Sequence, residues 1–205
     1  MNFGLSQGDD PLAVAENRKI ACRTLNIDTL ASLCQCHSNN VVEASPEESP
    51  QADALITNKP KLGLLILHAD CQAAIIYDPI NHALANVHCG WRGNVQNIYA
   101  QTISQMIGRY GSRPEELLVG ISPSLGPTAS EFRHYRDEFP NCYWDFQTND
   151  YFNLWELSRY QLISVGVLPH HIEVAGICTY SNPDDYFSYR RAAKSGRHGT
   201  IAFLN

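Results

Sequence analysis

The stretch His68-Ala-Asp-Cys-Gln-Ala-Ala-Ile-Ile-Tyr-Asp-Pro-Ile-Asn-His-Ala-Leu-Ala-Asn-Val-His-Cys-Gly-Trp-Arg-Gly93 decides how the chain is read. Its two β-rich runs, Gln72 to Tyr77 and His82 to Val87, are joined by the turn-forming Asp78-Pro79-Ile80-Asn81, which predicts an antiparallel hairpin. A third run, Gly63 to His68, comes just before them. The same stretch sets Cys71 ahead of the first apolar run, and His88, Gly90, Arg92 and Gly93 where the second breaks off. Soft-metal ligands, a fixed cation and permissive backbone this close together look more like a site than a core.

Working outward, the period changes after Gly93. Val95, Ile98, Tyr99, Thr102, Ile103, Met106 and Ile107 recur at three- and four-residue steps before Gly111, which predicts a helix starting at Asn94. Leu117 to Ile121 reads as a strand running into the Pro- and Gly-bearing loop Ser122 to Pro127, the kind of constrained loop that lines pockets. Glu131 to Asp150 has no sustained period, Asn153 to Val165 returns to helical spacing, and Ile172 to Cys178 is a predicted strand. Tyr186 to Gly199 carries Arg190, Arg191, Lys194 and Arg197 ahead of a last strand, Thr200 to Leu204.

Upstream, Asp9 or Asp10 caps a helix reaching Leu25, with Pro11 in its first turn. Leu33 to Glu43 gives two short extended pieces around a Ser-Asn-Asn turn, with His37 ending the first. Ser45 to Gln51 is a polar, exposed loop. The expected class is α+β, with mixed, largely antiparallel sheets flanked by helices and no clean βαβ alternation, over one domain spanning residues 1–205.

Composition narrows the function classes. A hydrophobic fraction of 44% and a charged fraction of 18% are those of a globular protein. No apolar run approaches the roughly 20 residues a membrane helix needs, and the N-terminus has no signal-peptide pattern, so a cytoplasmic location and no membrane partner are expected. Seven Cys without framework spacing point to reduced thiols or metal ligation. A net charge of -6 argues against nucleic acid as a partner. Monomer and dimer both stay open.

Catalytic zinc takes three protein ligands, often mixed His and Cys, and leaves one position open. His37, Cys71 and His88 each fall at a predicted strand end, where a sheet edge can gather them. Spacing alone favours a buried thiol and two ordinary histidines, because eight His and seven Cys make many triples. His68 also mimics metal spacing with Cys71, but in a continuous strand residues 68 and 71 lie on opposite faces. Arg92 is a natural anion anchor through its fork of donors, reinforced by the N-terminal end of a helix starting at Asn94, and Asp70 is read as orienting a ligand from behind or as a turn cap.

The ordered motifs go further than the spacing. Ala69-Asp70-Cys71, Asp78-Pro79 and His88-Cys89-Gly90-Trp91-Arg92-Gly93 resemble the signature of the laccase-domain family, also called YfiH-like proteins or polyphenol oxidases. The likeness continues in Asn2-Phe3-Gly4-Leu5, Gly8-Asp9-Asp10, Asn17-Arg18, Gln35-Cys36-His37 and Ala52-Asp53-Ala54-Leu55-Ile56-Thr57. It recurs in Pro123-Ser124-Leu125-Gly126-Pro127, in Phe187-Ser188-Tyr189-Arg190-Arg191 and in Gly196-Arg197, so that nearly the whole chain is covered.

The resemblance implies a YfiH-like fold and a zinc ion on His37, Cys71 and His88, with copper the lesser expectation. It implies a purine nucleoside phosphorylase acting on purine nucleoside and inorganic phosphate, with adenosine deaminase and methylthioadenosine phosphorylase as further activities. Catalytic roles are then expected for Cys71, His88 and Arg92; by their chemistry Arg92, Arg190, Arg191 and Arg197 are read as phosphate or ribose contacts, with a surface ion pair the alternative for Arg92 and a solvated basic tail for at least one of the other three. Three departures bear on this. The chain starts inside the family pattern, so the family's N-terminal strand region is expected to be absent. The loop Gly126-Pro127-Thr128-Ala129-Ser130-Glu131-Phe132 differs from the family's Gly-Pro-Cys-Cys-Tyr-Glu-Val, and Cys89 stands where the family has Ala, which leaves open which Cys binds metal. Rival readings are a cysteine hydrolase or amidase using Cys71 and His88, a copper-dependent phenol oxidase, and a zinc-binding module without catalysis.

Overall fold

The strands joined by the turn at Asp78–Asn81 lie at the centre of the main sheet in the computed structural model, which describes residues 1–5 and 8–205. In chain order the elements are α1 (Pro11–Leu25), β1 (Thr29–Ala31), β2 (Val41–Glu43), β3 (Ala54–Thr57), β4 (Leu62–His68), β5 (Gln72–Asp78), β6 (Ala83–Cys89), α2 (Trp91–Val95) and α3 (Ile98–Tyr110). There follow β7 (Leu118–Ile121), α4 (Tyr135–Glu138), β8 (Gln147–Thr148), β9 (Tyr151–Phe152), α5 (Leu154–Ser164), β10 (Ile172–Val174) and β11 (His198–Ala202). Asp78 makes the hairpin turn by accepting hydrogen bonds from the backbone N–H of Ile80 and Asn81.

Strands β5 and β6 pair antiparallel from Gln72↔Cys89 to Asp78↔Ala83 inside a six-stranded sheet of order β10-β7-β5-β6-β3-β2. Pairing is antiparallel at the centre and parallel at both edges, β10 on β7 and β2 on β3. A second sheet of order β1-β4-β11 covers one face. The other face packs on α3 and α5, so the central sheet is buried on both sides: Ile56, Ile76 and Val87 join Ile103, Met106 and Leu162, while Leu55 and Leu84 meet Leu64 and Ile66. Such two-sided burial is why the central runs read as continuous apolar sequence. Buried Asn86 ties the layers together by donating to Leu64 O at 2.8 Å and Thr200 O at 2.9 Å.

Three predicted elements come out differently, the first being the extended pair in residues 33–43, of which only β2 forms a strand while Cys34 makes a single bridge to Gln51. In place of one helix from Asn94 there are two, because Asn97 takes a left-handed conformation (φ 52°, ψ 58°) between α2 and α3 and caps α3 by accepting from the Ala100 N–H. Asn tolerates that region better than other residues with a Cβ, and its side chain replaces a missing helix bond. The predicted strand from Ile172 to Cys178 stops at Val174, since Gly176 turns the chain with φ of 65°. An aromatic cluster of Phe132, Phe139 and Phe152 with Trp91 and Trp144 fills the region of residues 131–152 that showed no period. No helix among the described residues is long and apolar enough to cross a membrane.

Candidate metal centre and its cavity

His88 is the best-fixed member of the site. It sits in β6 with Asp53, just before β3, alongside: His88 N donates to Asp53 O at 2.7 Å and the ring Nδ1 lies 2.8 Å from Asp53 Oδ1. With Nδ1 directed at the carboxylate, the ring turns Nε2 toward the other donors, and loss of the Nε2 proton to a metal ion would give it the lone pair a ligand needs. Asp53 also accepts from the backbone N–H of His37 (3.0 Å) and Ser38 (2.6 Å) and from the Ser38 hydroxyl (2.8 Å). Burial would raise its pKa, but the bonds from His88 and Ser38 prevail and hold the carboxyl well below its usual range. One buried carboxylate thus places both histidines.

His37 is exposed and takes a left-handed backbone, φ 59°. Its segment is pinned on one side by Gln35, whose side chain bonds the N–H and carbonyl of Leu67 in β4 at 2.8 and 2.7 Å. On the other side Gln96 donates to His37 O at 3.0 Å. Cys71 lies in the loop between β4 and β5, directly before Gln72 pairs with Cys89. The donor atoms of His37, Cys71 and His88 all lie within 4.8 Å of one another, and among the described residues this is the only group of three or more His, Cys, Asp or Glu so gathered.

The residues present fit a metal. A Cβ on Gly90 would come 2.9 Å from Cys71 Sγ and 3.2 Å from His37 Cδ2, so glycine keeps the space between the donors open. Burial pushes the Cys71 thiol up, yet the charge of His88 and hydrogen bonds from His37 and His88 outweigh it and bring the pKa down to about 6. His88 is also opposed by burial but is raised by the Cys71 thiolate and by Asp53. Two imidazoles and a thiolate suit zinc and other soft or borderline ions.

Cys89, the competing thiol, belongs to the helix-side core, where burial pushes its pKa up. The gathered donor is Cys71. His68 is outside the group as well, though not because a continuous strand carries it away. Strand β4 ends there, Asp70 turns with φ of 93°, and the His68 ring is held by Thr200 Oγ1 at 2.8 Å and His198 Nε2 at 3.1 Å.

The three donors open into a cavity of about 960 Å³ whose wall includes Arg92, Arg190 and Arg197. Arg92 is exposed, with its guanidinium 4.2 Å from the Trp91 ring centre. Arg190 donates to Glu131 O at 3.0 Å and lies 5.8 Å from the Phe132 ring. Arg197 donates to Ser195 O and Gly196 O at 2.7 and 3.0 Å. None of the three is in an ion pair among the described residues. Arg191 stands apart: its guanidinium is spent on the carbonyls of Thr179, Tyr180 and Tyr186, and it does not line the cavity. The helix start expected at Asn94 is displaced: Arg92 lies within the five-residue α2, which begins at Trp91, and the longer α3 begins only at Ile98.

Sequence reasoning missed the part played by Asp53, although its signal was there: an acid between Ala52 and the apolar run Ala54 to Ile56. It also missed Gln72, buried at the cavity wall, which accepts from Tyr99 and Ser158 at 2.8 and 2.7 Å. Nothing in the local pattern announces such a partnership, because the residues joined are far apart in sequence.

Fold, motifs and donor group together place the chain in the laccase-domain, YfiH-like family, and it belongs to that family: the profile described as multi-copper polyphenol oxidoreductase laccase matches residues 1–205. A Pseudomonas aeruginosa protein named as a purine nucleoside phosphorylase is 31% identical over 219 residues, covering 100% of this chain and 86% of its own length. The purine nucleoside phosphorylase YfiH of Shigella flexneri is 30% identical over 217 residues, with the same coverage of 100% and 86%. The crystal structure of the Bacillus licheniformis hypothetical protein YfiH superposes with a TM-score of 0.93 at 26% identity, over 100% of this chain and 85% of that one.

Proposed function

We propose that the chain is a zinc-dependent purine nucleoside phosphorylase, with adenosine deaminase and methylthioadenosine phosphorylase activities at the same centre. The observation that carries this reading is one cavity with two chemistries on its walls: the His37, Cys71 and His88 donors, and the guanidinium groups of Arg92, Arg190 and Arg197. Its volume of about 960 Å³ suits a nucleoside with phosphate beside it. The relatives named as purine nucleoside phosphorylases point the same way.

In phosphorolysis a phosphate oxygen bonds to the sugar C1′ as the bond from C1′ to the purine nitrogen breaks. The electron pair leaves with the purine, which takes up a proton from solvent. Arginine forks at the cavity wall hold phosphate in line for that attack, and Trp91, Leu125 and Phe132 supply apolar surface that excludes water. Asp53 keeps the His88 ring oriented toward the donor space. His37, Cys71 and His88 would hold the ion, which when bound supplies a Lewis acid and lowers the pKa of water. In deamination, water adds at purine C6 and ammonia leaves.

Zinc is favoured over copper by the donor count and by the methionines. A multi-copper centre draws on many histidines, and a blue-copper site adds a weak axial ligand, often Met. Met106 is buried in the helix-side core and Met1 is an exposed terminus. The test is a product assay on zinc-loaded protein. Inosine with phosphate is expected to give hypoxanthine and ribose 1-phosphate, methylthioadenosine with phosphate to give adenine, and adenosine to give inosine. Absence of any base release in the presence of phosphate removes the phosphorylase reading, and absence of inosine from adenosine removes the deaminase.

A further inference from the structure

Asp70 precedes Cys71 and ends β4's exit with φ of 93°, a conformation that residues with a Cβ rarely adopt. In that position it collects three other segments of chain. Its carbonyl accepts from Leu125 N at 2.8 Å, its Oδ1 from the Thr179 hydroxyl at 2.7 Å, and its Oδ2 from the backbone N–H of Arg190 at 2.6 Å. Arg190 lies in an irregular segment, outside any strand or helix, so no ladder of backbone bonds sets where its guanidinium goes. Asp70 fixes the Arg190 backbone from the residue next to a metal donor, which lets the Arg190 side chain, in the cavity wall, reach Glu131 O at 3.0 Å.

Resting on the phosphorylase reading for the identity of the anion, we infer that Asp70 is a positioning residue for the phosphate half of the site. It holds the Arg190 segment in the cavity wall at a fixed distance from Cys71. A plain electrostatic role predicts the opposite sign, since a carboxylate near an anion site repels the anion and its removal should tighten phosphate binding. Positioning predicts weaker binding, because the arginine is released along with the tether.

The test compares Asp70→Ala, Asp70→Asn and wild type, each zinc-loaded, by metal content, by KM for phosphate in phosphorolysis, by calorimetric binding of inorganic phosphate, and by amide exchange over residues 188–191. For Asp70→Ala we expect one bound zinc as in wild type, faster exchange at 188–191, and a rise in KM and in phosphate Kd of roughly tenfold or more, the range for loss of a hydrogen bond to a charged group. Asp70→Asn should restore most of both, since its carbonyl still accepts from Arg190 N while its amide donates to Thr179 Oγ1. Unchanged exchange, unchanged or tighter phosphate binding by Asp70→Ala, or loss of zinc would overturn the inference. If wild type proves inactive in phosphorolysis, the function fails on that assay alone, and the exchange and binding arms still judge Asp70.

Discussion

At the scale of single residues, the site depends on one acid and one glycine more than on its ligands' own positions in the sequence. Asp53 is surrounded by donors, and Asn in its place must turn an N–H₂ toward one of them. Asp53→Asn is therefore expected to weaken zinc binding about 10- to 100-fold and to lower stability by about 1–3 kcal/mol, read by competition with a chromogenic chelator and by urea unfolding. Gly90→Ala should crowd Cys71 and His37, costing about 1–3 kcal/mol and lowering metal content. Thiol mapping separates a metal ligand from a free nucleophile. With zinc bound, Cys71 should resist alkylation and become reactive once a chelator removes the metal, while buried Cys89 stays unmodified in both states. Equal labelling of Cys71 with and without chelator would favour the cysteine-hydrolase reading, which uses the same thiolate and imidazole.

At the scale of elements, the hairpin, the first helix and the last strand were legible because each obeys a local rule: a turn at Asp78–Asn81, a cap at Asp10 with Pro11, and a terminal apolar run. The break at Asn97 was not legible, since the apolar spacing runs unbroken through it and a single left-handed residue leaves no mark on that period. Asn97→Ala should destabilise the protein by about 1–2 kcal/mol through loss of the cap and strain at positive φ. Asn97→Gly should cost less, because glycine keeps the backbone conformation; denaturant midpoints distinguish them. The pairing of β4 with β11 carries a pH dependence. Burial holds His198, against His68, down to about 4. An unfolded imidazole titrates near about 6.5, so stability present above that pH is lost as pH falls toward 4. Unfolding midpoints of wild type should drop over that window, and the drop should shrink in His198→Asn.

At the scale of the whole molecule, the site is assembled from parts that only the fold brings together: His37 from the segment before β2, Asp53 from just before β3, Cys71 and His88 from the open end of the central hairpin, and Arg190 and Arg197 from the C-terminal segment. The sequence offered His37, Cys71 and His88 as one triple among many, and the resemblance singled that triple out. Asp53 and the separate fate of Arg191 needed the tertiary structure, because the first depends on strand register and the second on three carbonyls brought to one place. The central claim is that one metal ion at His37, Cys71 and His88 supports phosphorolysis in the adjoining cavity. It is tested most directly by titrating metal-free protein with zinc while following phosphate-dependent release of hypoxanthine from inosine. The rate is expected to rise linearly to a plateau at one equivalent and to stay at background in Cys71→Ser. A rate that is independent of metal, or that requires copper, would contradict it.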